Sequence, residues 1–178
     1  MQKDPWPERC GDIIVMGVSG CGKSTVGEAL AARLNRRFVE GDALHPDANR
    51  RKMAAGTPLT DADRAPWLDR IREEMSRAEA PLVVACSALR RAYRDRLRGK
   101  GESAPRPVTF VHLTETRDVI AARIEGRQGH FMPVSLLDSQ YATLEPLAPD
   151  ERGCTVEVSS DPTATVQAVM SALERTVY

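Results

Sequence analysis

Residues 17–24 form a glycine-rich turn between an apolar run at 13–16 and a helix-length stretch at about 22–35. The turn reads GVSGCGKS, which matches the pattern GxxxxGK[ST]. Its glycines let successive backbone N–H groups turn inward, and the helix adds the positive end of its dipole. Lys23 can then reach the β- and γ-phosphates of a nucleotide, and Ser24 can ligate Mg²⁺. The turn therefore predicts a phosphate-binding loop between a strand and a helix.

Beyond this turn, short apolar runs alternate with amphipathic stretches of helical length. Strands are predicted at 37–40, 82–86, 108–113 and 155–158, and helices at 46–55, 61–78, 88–98, 116–125, 134–143 and from Pro162 onward. The run at 82–86 is apolar throughout, as expected of a parallel strand that is buried on both faces. The alternation predicts a three-layer α/β fold with five parallel strands flanked by helices.

Length, charge and cysteine usage exclude several classes of protein. The chain has 178 residues, which suits one domain over 1–178, and its 25 basic and 25 acidic residues cancel. A neutral chain of this kind is not expected to bind nucleic acid. The four cysteines are scattered, and the sequence contains neither a signal-peptide pattern nor a run long enough to span a membrane. We therefore expect a cytoplasmic protein that does not bind membranes.

Kinases, GTPases, ABC ATPases and motors share this phosphate loop, so other residues must distinguish them. The chain has no Asn-Lys pair for guanine and no LSGGQ-like segment, and its DxxG match at 150–153 comes too late. The glycine-rich segment at about 124–135 predicts a lid that excludes water from the transferring phosphoryl group. Its Arg127 can neutralise charge on that group, and the nearby Arg123 can contact the nucleotide. These features favour a small kinase.

The acceptor is expected to bind the helical segment at about 42–78. Asp42 follows the second predicted strand, so it would lie beside the phosphate loop at the edge where open α/β sheets bind ligands. Its carboxylate can accept the proton of a hydroxyl, orient that hydroxyl, or hold a water on Mg²⁺. The third strand ends at Cys86 without the usual metal-binding aspartate. We therefore expect Ser24, phosphates and water to hold the metal.

Several short motifs follow one another in a distinctive order. They are GVSGCGKST at 17–25, GDALHP at 41–46, KM at 52–53 with GTPL at 56–59, DADRAPWL at 61–68, CSAL at 86–89 with YRD at 93–95, and GHF at 129–131. Together they resemble the bacterial-type gluconate kinases over about residues 12–158. Each string alone is weak, but the ordered set is highly specific.

The resemblance implies a nucleoside-monophosphate-kinase-like fold with sheet order 2-3-1-4-5 and a mobile lid. It implies ATP and Mg²⁺ as cofactors, D-gluconate as the acceptor, 6-phosphogluconate and ADP as products, and a homodimer. The residues assigned to the nucleotide are Gly17, Ser19, Gly20, Cys21, Gly22, Lys23, Ser24, Thr25 and Arg123. The nucleotide assignments therefore fall on the turn at 17–25 and on one later arginine.

The acceptor and catalytic assignments follow from the same resemblance. The residues assigned to gluconate are Asp42, which faces its hydroxyl, and His45, Lys52, Arg90 and His130. Lys23, Asp42 and Arg127 are assigned to catalysis, with Arg127 and His130 in the lid. Two alternatives stay open, namely a kinase of shikimate or another aldonate and a non-catalytic nucleotide-binding regulator.

Overall fold

Five parallel strands form the central sheet of the protein. The computed structural model describes residues 10–99, 106–126 and 134–177. The strands are β1 (Asp12–Met16), β2 (Phe38–Glu40), β3 (Val83–Ala85), β4 (Val108–Thr114) and β5 (Gly153–Glu157). Their order in the sheet is β2-β3-β1-β4-β5, which confirms the predicted order. The carboxyl ends of β1, β2 and β3 therefore meet at one edge of the sheet.

Helices lie at the predicted places, except that the one predicted at 88–98 begins at Arg91, because Ala88 has a φ of 44° and Arg90 is extended. They are α1 (Lys23–Arg33), α2 (Asp47–Ala54), α3 (Asp61–Arg77), α4 (Arg91–Arg98), α5 (Arg117–Glu125), α6 (Val134–Thr143) and α7 (Pro162–Val177). A short 3₁₀ helix at Gly41–Leu44 was not predicted. It begins where the Glu40 side chain accepts a hydrogen bond from the N–H of Asp42, so a local side-chain contact defines this turn.

The two faces of the sheet pack against different helices. Ile13 belongs to an apolar cluster that includes residues of α1 and α7, and Ile14 belongs to a cluster that includes residues of α3 and α4. Both side chains are fully buried. Consecutive side chains of a strand point to opposite faces, so an apolar strand can fill both layers of the core. The continuous apolar runs of the sequence are explained by this burial.

Helix α3 begins with a capping box that Thr60 and Asp63 form. The Thr60 Oγ1 accepts from the Asp63 N–H at 3.2 Å, and the Asp63 Oδ2 accepts from the Thr60 N–H at 2.8 Å. Trp67 and Leu68 of this helix are buried. In the described ranges, no helix is both long and apolar enough to cross a membrane.

Candidate functional site

The backbone of the loop after β1 depends on two glycines. Gly17 has a φ of 145°, and a Cβ there would lie 2.7 Å from the carbonyl oxygen of Leu113. Gly22 has a φ of 95° and precedes α1, which begins at Lys23. Both conformations are costly for any other residue. The first turn of α1 therefore directly follows the loop. Its backbone N–H groups have no partner inside the helix and can bind a phosphate.

The side chains of this loop divide between a cavity and the core. The Lys23 Nζ donates to the carbonyl oxygen of Val18 at 3.1 Å, so the ammonium group folds back over the loop. Ser24 and Thr25 line the same cavity as Lys23. Cys21 is fully buried, and burial raises the pKa of its thiol. Cys21 therefore offers a ligand its backbone rather than its side chain.

Glu40 brings a carboxylate to the phosphate loop from the end of β2. Its Oε2 accepts a short hydrogen bond from the Ser24 hydroxyl, and its Oε1 accepts from the Asp42 N–H at 3.4 Å. Glu40 therefore places an acid next to Ser24, whereas the end of β3 has none. Glu40 was not predicted as a site residue, although the sequence places two acids, Glu40 and Asp42, at the end of one strand.

Asp42 and His45 form the acceptor side of the site. The Asp42 side chain is 69% exposed, whereas His45 is only 4% exposed. The His45 ring stacks on Trp67 with 4.0 Å between ring centroids, and its Nε2 lies 3.9 Å from the Asp42 Oδ1. An accessible carboxylate thus stands beside an immobilised imidazole.

Arg64 is a cation of the site to which our sequence analysis assigned no separate role. Its Nη1 donates to the carbonyl oxygen of Leu59 at 2.5 Å and to the Tyr93 hydroxyl at 3.3 Å. The guanidinium carbon also lies 5.4 Å from the centroid of the Tyr93 ring. Arg64 lines the cavity, so a fixed positive charge faces the acceptor side.

Lys52 and Arg90 are each paired with an aspartate. The Lys52 Nζ lies 2.8 Å from both carboxylate oxygens of Asp63, and this hydrogen bond is the main reason that the pKa of Asp63 falls to about 2. The Arg90 Nη1 donates to Asp61 at 3.0 Å. In the described part of the chain neither cation lines the cavity, and their assignment to the acceptor stays a prediction.

The remaining predicted cations are Arg123, which belongs to α5, and Arg127 and His130, which follow α5 in the sequence. The Arg123 Nη2 is 3.4 Å from the Glu115 Oε2, and Arg123 is not among the described residues that line the cavity. Its role at the nucleotide stays a prediction. Arg127 and His130 lie outside the described residues, so their assignment to the lid and to the site also stays a prediction.

Helix α6 contacts the phosphate loop through Gln140. The Gln140 Oε1 accepts from the Ser19 N–H at 2.7 Å, and its Nε2 donates to the Ser19 Oγ at 3.1 Å. The two residues are 121 positions apart in the chain. No local sequence pattern indicates such a contact, so our sequence analysis did not find Gln140.

The phosphate loop and the acceptor side line one cavity of about 400 Å³. Lys23 and Ser24 lie on the loop side, and Asp42, His45 and Arg64 lie on the acceptor side. The cavity is therefore able to hold a nucleotide phosphate next to a hydroxyl-bearing anion. This juxtaposition is what phosphoryl transfer between two small molecules requires.

Comparison with known proteins identifies the family. A sequence profile of the family described as an AAA domain matches residues 13–147. A gluconokinase of Gluconobacter oxydans (strain 621H) is 53% identical over 143 residues, which are 78% of this chain and 78% of that protein. The chain belongs to the gluconokinase family. Residues 13–147 include the phosphate loop, Asp42, His45, Arg64 and Gln140, so both sides of the cavity lie in the matched region.

The fold of this chain is also similar to that of a solved gluconokinase. The crystal structure of a gluconokinase from Sinorhizobium meliloti 1021 has 49% sequence identity and a TM-score of 0.84, covering 94% of this chain and 94% of that chain. The shikimate kinase of Aquifex aeolicus vf5 has 16% identity and a TM-score of 0.62, covering 92% of this chain and 96% of that chain. The second likeness shows the shared fold alone.

Proposed function

We propose that this protein transfers the γ-phosphate of ATP to the 6-hydroxyl of D-gluconate, giving 6-phospho-D-gluconate and ADP. The proposal depends mainly on one observation, the shared cavity with the phosphate loop on one side and the exposed carboxylate of Asp42 on the other. Membership of the gluconokinase family supports the same acceptor.

In the proposed reaction, Lys23 and the loop amides bind the β- and γ-phosphates. Asp42 accepts the proton of the 6-hydroxyl as the hydroxyl oxygen attacks the γ-phosphorus. A new P–O bond forms, the bond from the γ-phosphorus to the bridging oxygen breaks, and ADP leaves with that oxygen. Arg127 of the predicted lid would neutralise charge on the transferring group, and His130 would close over the acceptor.

Gluconate is a monoanion with several hydroxyl groups, so its site needs a cation together with polar groups. Arg64 suits the carboxylate because its guanidinium group is fixed by Leu59 and Tyr93 and faces the cavity. His45 suits a hydroxyl. Lys52 and Arg90 remain further candidates for the acceptor, each of which would have to leave its aspartate to reach the cavity.

Mg²⁺ belongs to the proposal as the metal that accompanies ATP. The Ser24 hydroxyl and the Glu40 carboxylate are hard oxygen donors of the kind that Mg²⁺ prefers, so these residues fit the ion. In the parts of the chain that the structure covers, no group of three His, Cys, Asp or Glu side chains could hold a metal. Phosphates and water must therefore complete its ligands, and the bound ion would neutralise phosphate charge.

The proposal also includes one kinase domain over 1–178, a homodimer, a cytoplasmic location and a place at the entry to pentose phosphate metabolism. The family resemblance supports these four statements. Light scattering of the purified protein tests the homodimer directly, because a monomer would have half the expected mass.

The direct test of the proposed function is mass spectrometry of the products formed from MgATP and a panel of acids. The panel contains D-gluconate, other aldonates and shikimate, with Lys23→Ala as the inactive control. We expect one phosphoryl group on gluconate and the fastest turnover with that acid. Faster turnover of another acid would replace gluconate as the acceptor, and nucleotide binding without any phosphorylated acid would indicate a non-catalytic regulator.

We expect Asp42→Asn to lower kcat by about 10²-fold or more, because an amide cannot accept the hydroxyl proton. The Kd for ATP should change little, since Asp42 lies on the acceptor side. Asp47→Asn, an exposed aspartate at the start of α2, is the matched control and should retain normal turnover. Initial rates and nucleotide titrations measure both quantities, and near-normal kcat in Asp42→Asn would contradict the proton-acceptor role.

A further inference from the structure

The imidazole of His45 has a fixed orientation. Its ring lies nearly parallel to that of Trp67, with an angle of 14° between the two planes, and the residue is 4% exposed. Trp67 is itself held because its Nε1–H donates to the carbonyl oxygen of Gly41 at 2.8 Å. Each nitrogen of the His45 ring therefore points in one defined direction.

The side-chain amide of Asn49 also has a defined orientation. Its Nδ2 lies 2.8 Å from the backbone carbonyl oxygen of Asp63, and a carbonyl oxygen can only accept a hydrogen bond. The atom facing Asp63 must therefore be the nitrogen and not the oxygen of the amide. Asn49 is 3% exposed, so water offers it few alternative partners.

The same amide nitrogen decides which nitrogen of His45 carries the proton. The Asn49 Nδ2 is 3.2 Å from the His45 Nδ1, and its second N–H donates there. The Nδ1 is therefore an acceptor without a proton. A neutral imidazole has one ring proton, and the hydrogen bond at one nitrogen assigns that proton to the other.

The proton must then be on Nε2, which lies 3.9 Å from the Asp42 Oδ1. Burial lowers the pKa of His45 to about 4, with Asp42 raising it and Arg50 and Arg64 lowering it, so the ring is neutral near pH 7. At 3.9 Å the Nε2–H is too far for a direct hydrogen bond to Asp42. The N–H is instead placed to donate to an oxygen that sits next to Asp42.

We propose that Asn49 holds His45 in the Nε2–H tautomer, and that this N–H donates a hydrogen bond to a hydroxyl oxygen of the acceptor beside Asp42. In this arrangement Asn49 is a positioning residue that acts through His45. The opposite tautomer would present a lone pair to the hydroxyl oxygen and would compete with Asp42 for its proton. Only the identity of the acceptor in this inference depends on the proposed function.

Nuclear magnetic resonance tests the tautomer without any substrate. Two-bond ¹H–¹⁵N correlation spectra of histidine-labelled protein at neutral pH distinguish the two tautomers, and His45→Gln assigns the His45 signals among the 3 histidines. We expect a protonated Nε2 and an unprotonated Nδ1. In Asn49→Asp the new carboxylate can only accept, so the proton should move to Nδ1. A wild-type Nδ1–H, or an unchanged tautomer in Asn49→Asp, would overturn the inference.

Kinetics test the role in acceptor binding. Loss of one hydrogen bond in Asn49→Asp should raise the KM for the acceptor by about fivefold to tenfold, with the KM for ATP within about twofold of wild type. In His45→Ala there is no imidazole whose proton residue 49 could position. Adding Asn49→Asp to His45→Ala should therefore change the acceptor KM little.

An equal rise in acceptor KM in both backgrounds would show that Asn49 acts only structurally, which contradicts the inference. If wild-type protein phosphorylates none of the acids, the proposed function fails. The spectra would still decide the tautomer in that case, so the two failures are distinguishable.

Discussion

The carboxylate beside Ser24 belongs to Glu40 of β2 and not to a residue at the end of β3. The third strand ends at Cys86 without an aspartate, whereas Glu40 at the end of β2 reaches the hydroxyl of Ser24. Strands β2 and β3 are hydrogen-bonded neighbours, so the ends of both strands lie near the loop. An acid from either strand can therefore support a metal bound at Ser24.

We expect Glu40→Gln to raise the Mg²⁺ concentration for half-maximal activity by about tenfold or more, because supporting carboxylates typically contribute that much to metal affinity. The KM for gluconate should stay near its normal value. Initial rates over a series of free Mg²⁺ concentrations measure the effect, with the exposed Glu28→Gln of α1 as the matched control. An unchanged Mg²⁺ requirement in Glu40→Gln would remove Glu40 from the metal site.

At the level of elements, α6 links the phosphate loop to α5 and the end of β4. Gln140 makes two hydrogen bonds to Ser19, the Arg117 Nε lies 2.6 Å from Asp138, and the Tyr141 hydroxyl donates to the Glu115 carbonyl oxygen at 2.9 Å. The helix therefore holds the phosphate loop at Ser19. A loop ordered before the nucleotide arrives loses less entropy on binding.

We expect Gln140→Leu to raise the KM for ATP by about threefold to tenfold, because the Ser19 N–H and hydroxyl lose their partners on α6. The KM for gluconate should not change. The exposed Gln167→Leu of α7 is the matched control. A lower KM for ATP in Gln140→Leu would mean that Gln140 competes with the phosphate for the Ser19 amide instead of ordering the loop.

For the molecule as a whole, a buried ion pair connects α4 to the segment before β5. The side chains of Arg94 and Glu151 are both 0% exposed, with 2.8 Å between the Arg94 Nη2 and the Glu151 Oε2. Arg94 also donates to the carbonyl oxygens of Glu145 and Pro146 at 3.1 and 3.3 Å. Burial alone would raise the pKa of Glu151, but the hydrogen bonds from Arg94 and from the Ala148 N–H, together with the positive charges of Arg94 and Arg98, outweigh burial and hold it at about 2.

The Glu151 pKa sets the sign of a pH effect on stability. Its folded value of about 2 is below the ordinary 4.5, so the ionised pair stabilises the fold above pH 4.5 and loses that contribution as the pH falls towards 2. Glu151→Gln should lower the free energy of unfolding at pH 7 by about 3–5 kcal/mol, because Arg94 stays buried without its counter-charge.

Urea unfolding at a series of pH values measures the free energy of unfolding of wild type and Glu151→Gln. The difference between the two free energies should shrink below pH 4.5. The exposed Glu157→Gln of β5 should lose no comparable free energy of unfolding. A difference that stays constant with pH would contradict the assigned role of the Glu151 charge.

The sequence alone determined the order of the strands and helices, the phosphate loop and the position of Asp42. Each of these features is set by residues that lie close together in the sequence. The glycines at 17 and 22 set the loop backbone, and Thr60 with Asp63 sets the start of α3. Parallel strands then bring their carboxyl ends to one edge, so an acid after β2 must lie near a loop after β1.

Only the tertiary structure decided which polar groups face the cavity. Lys52, Arg64 and Arg90 each lie close to an aspartate of α3, but of these three cations only Arg64 lines the cavity, and nothing in their local sequence separates them. The Ser19 contact with Gln140 likewise spans 121 positions. Long polar side chains take the partner that packing brings within hydrogen-bond distance, and that partner is set by the approach of distant elements.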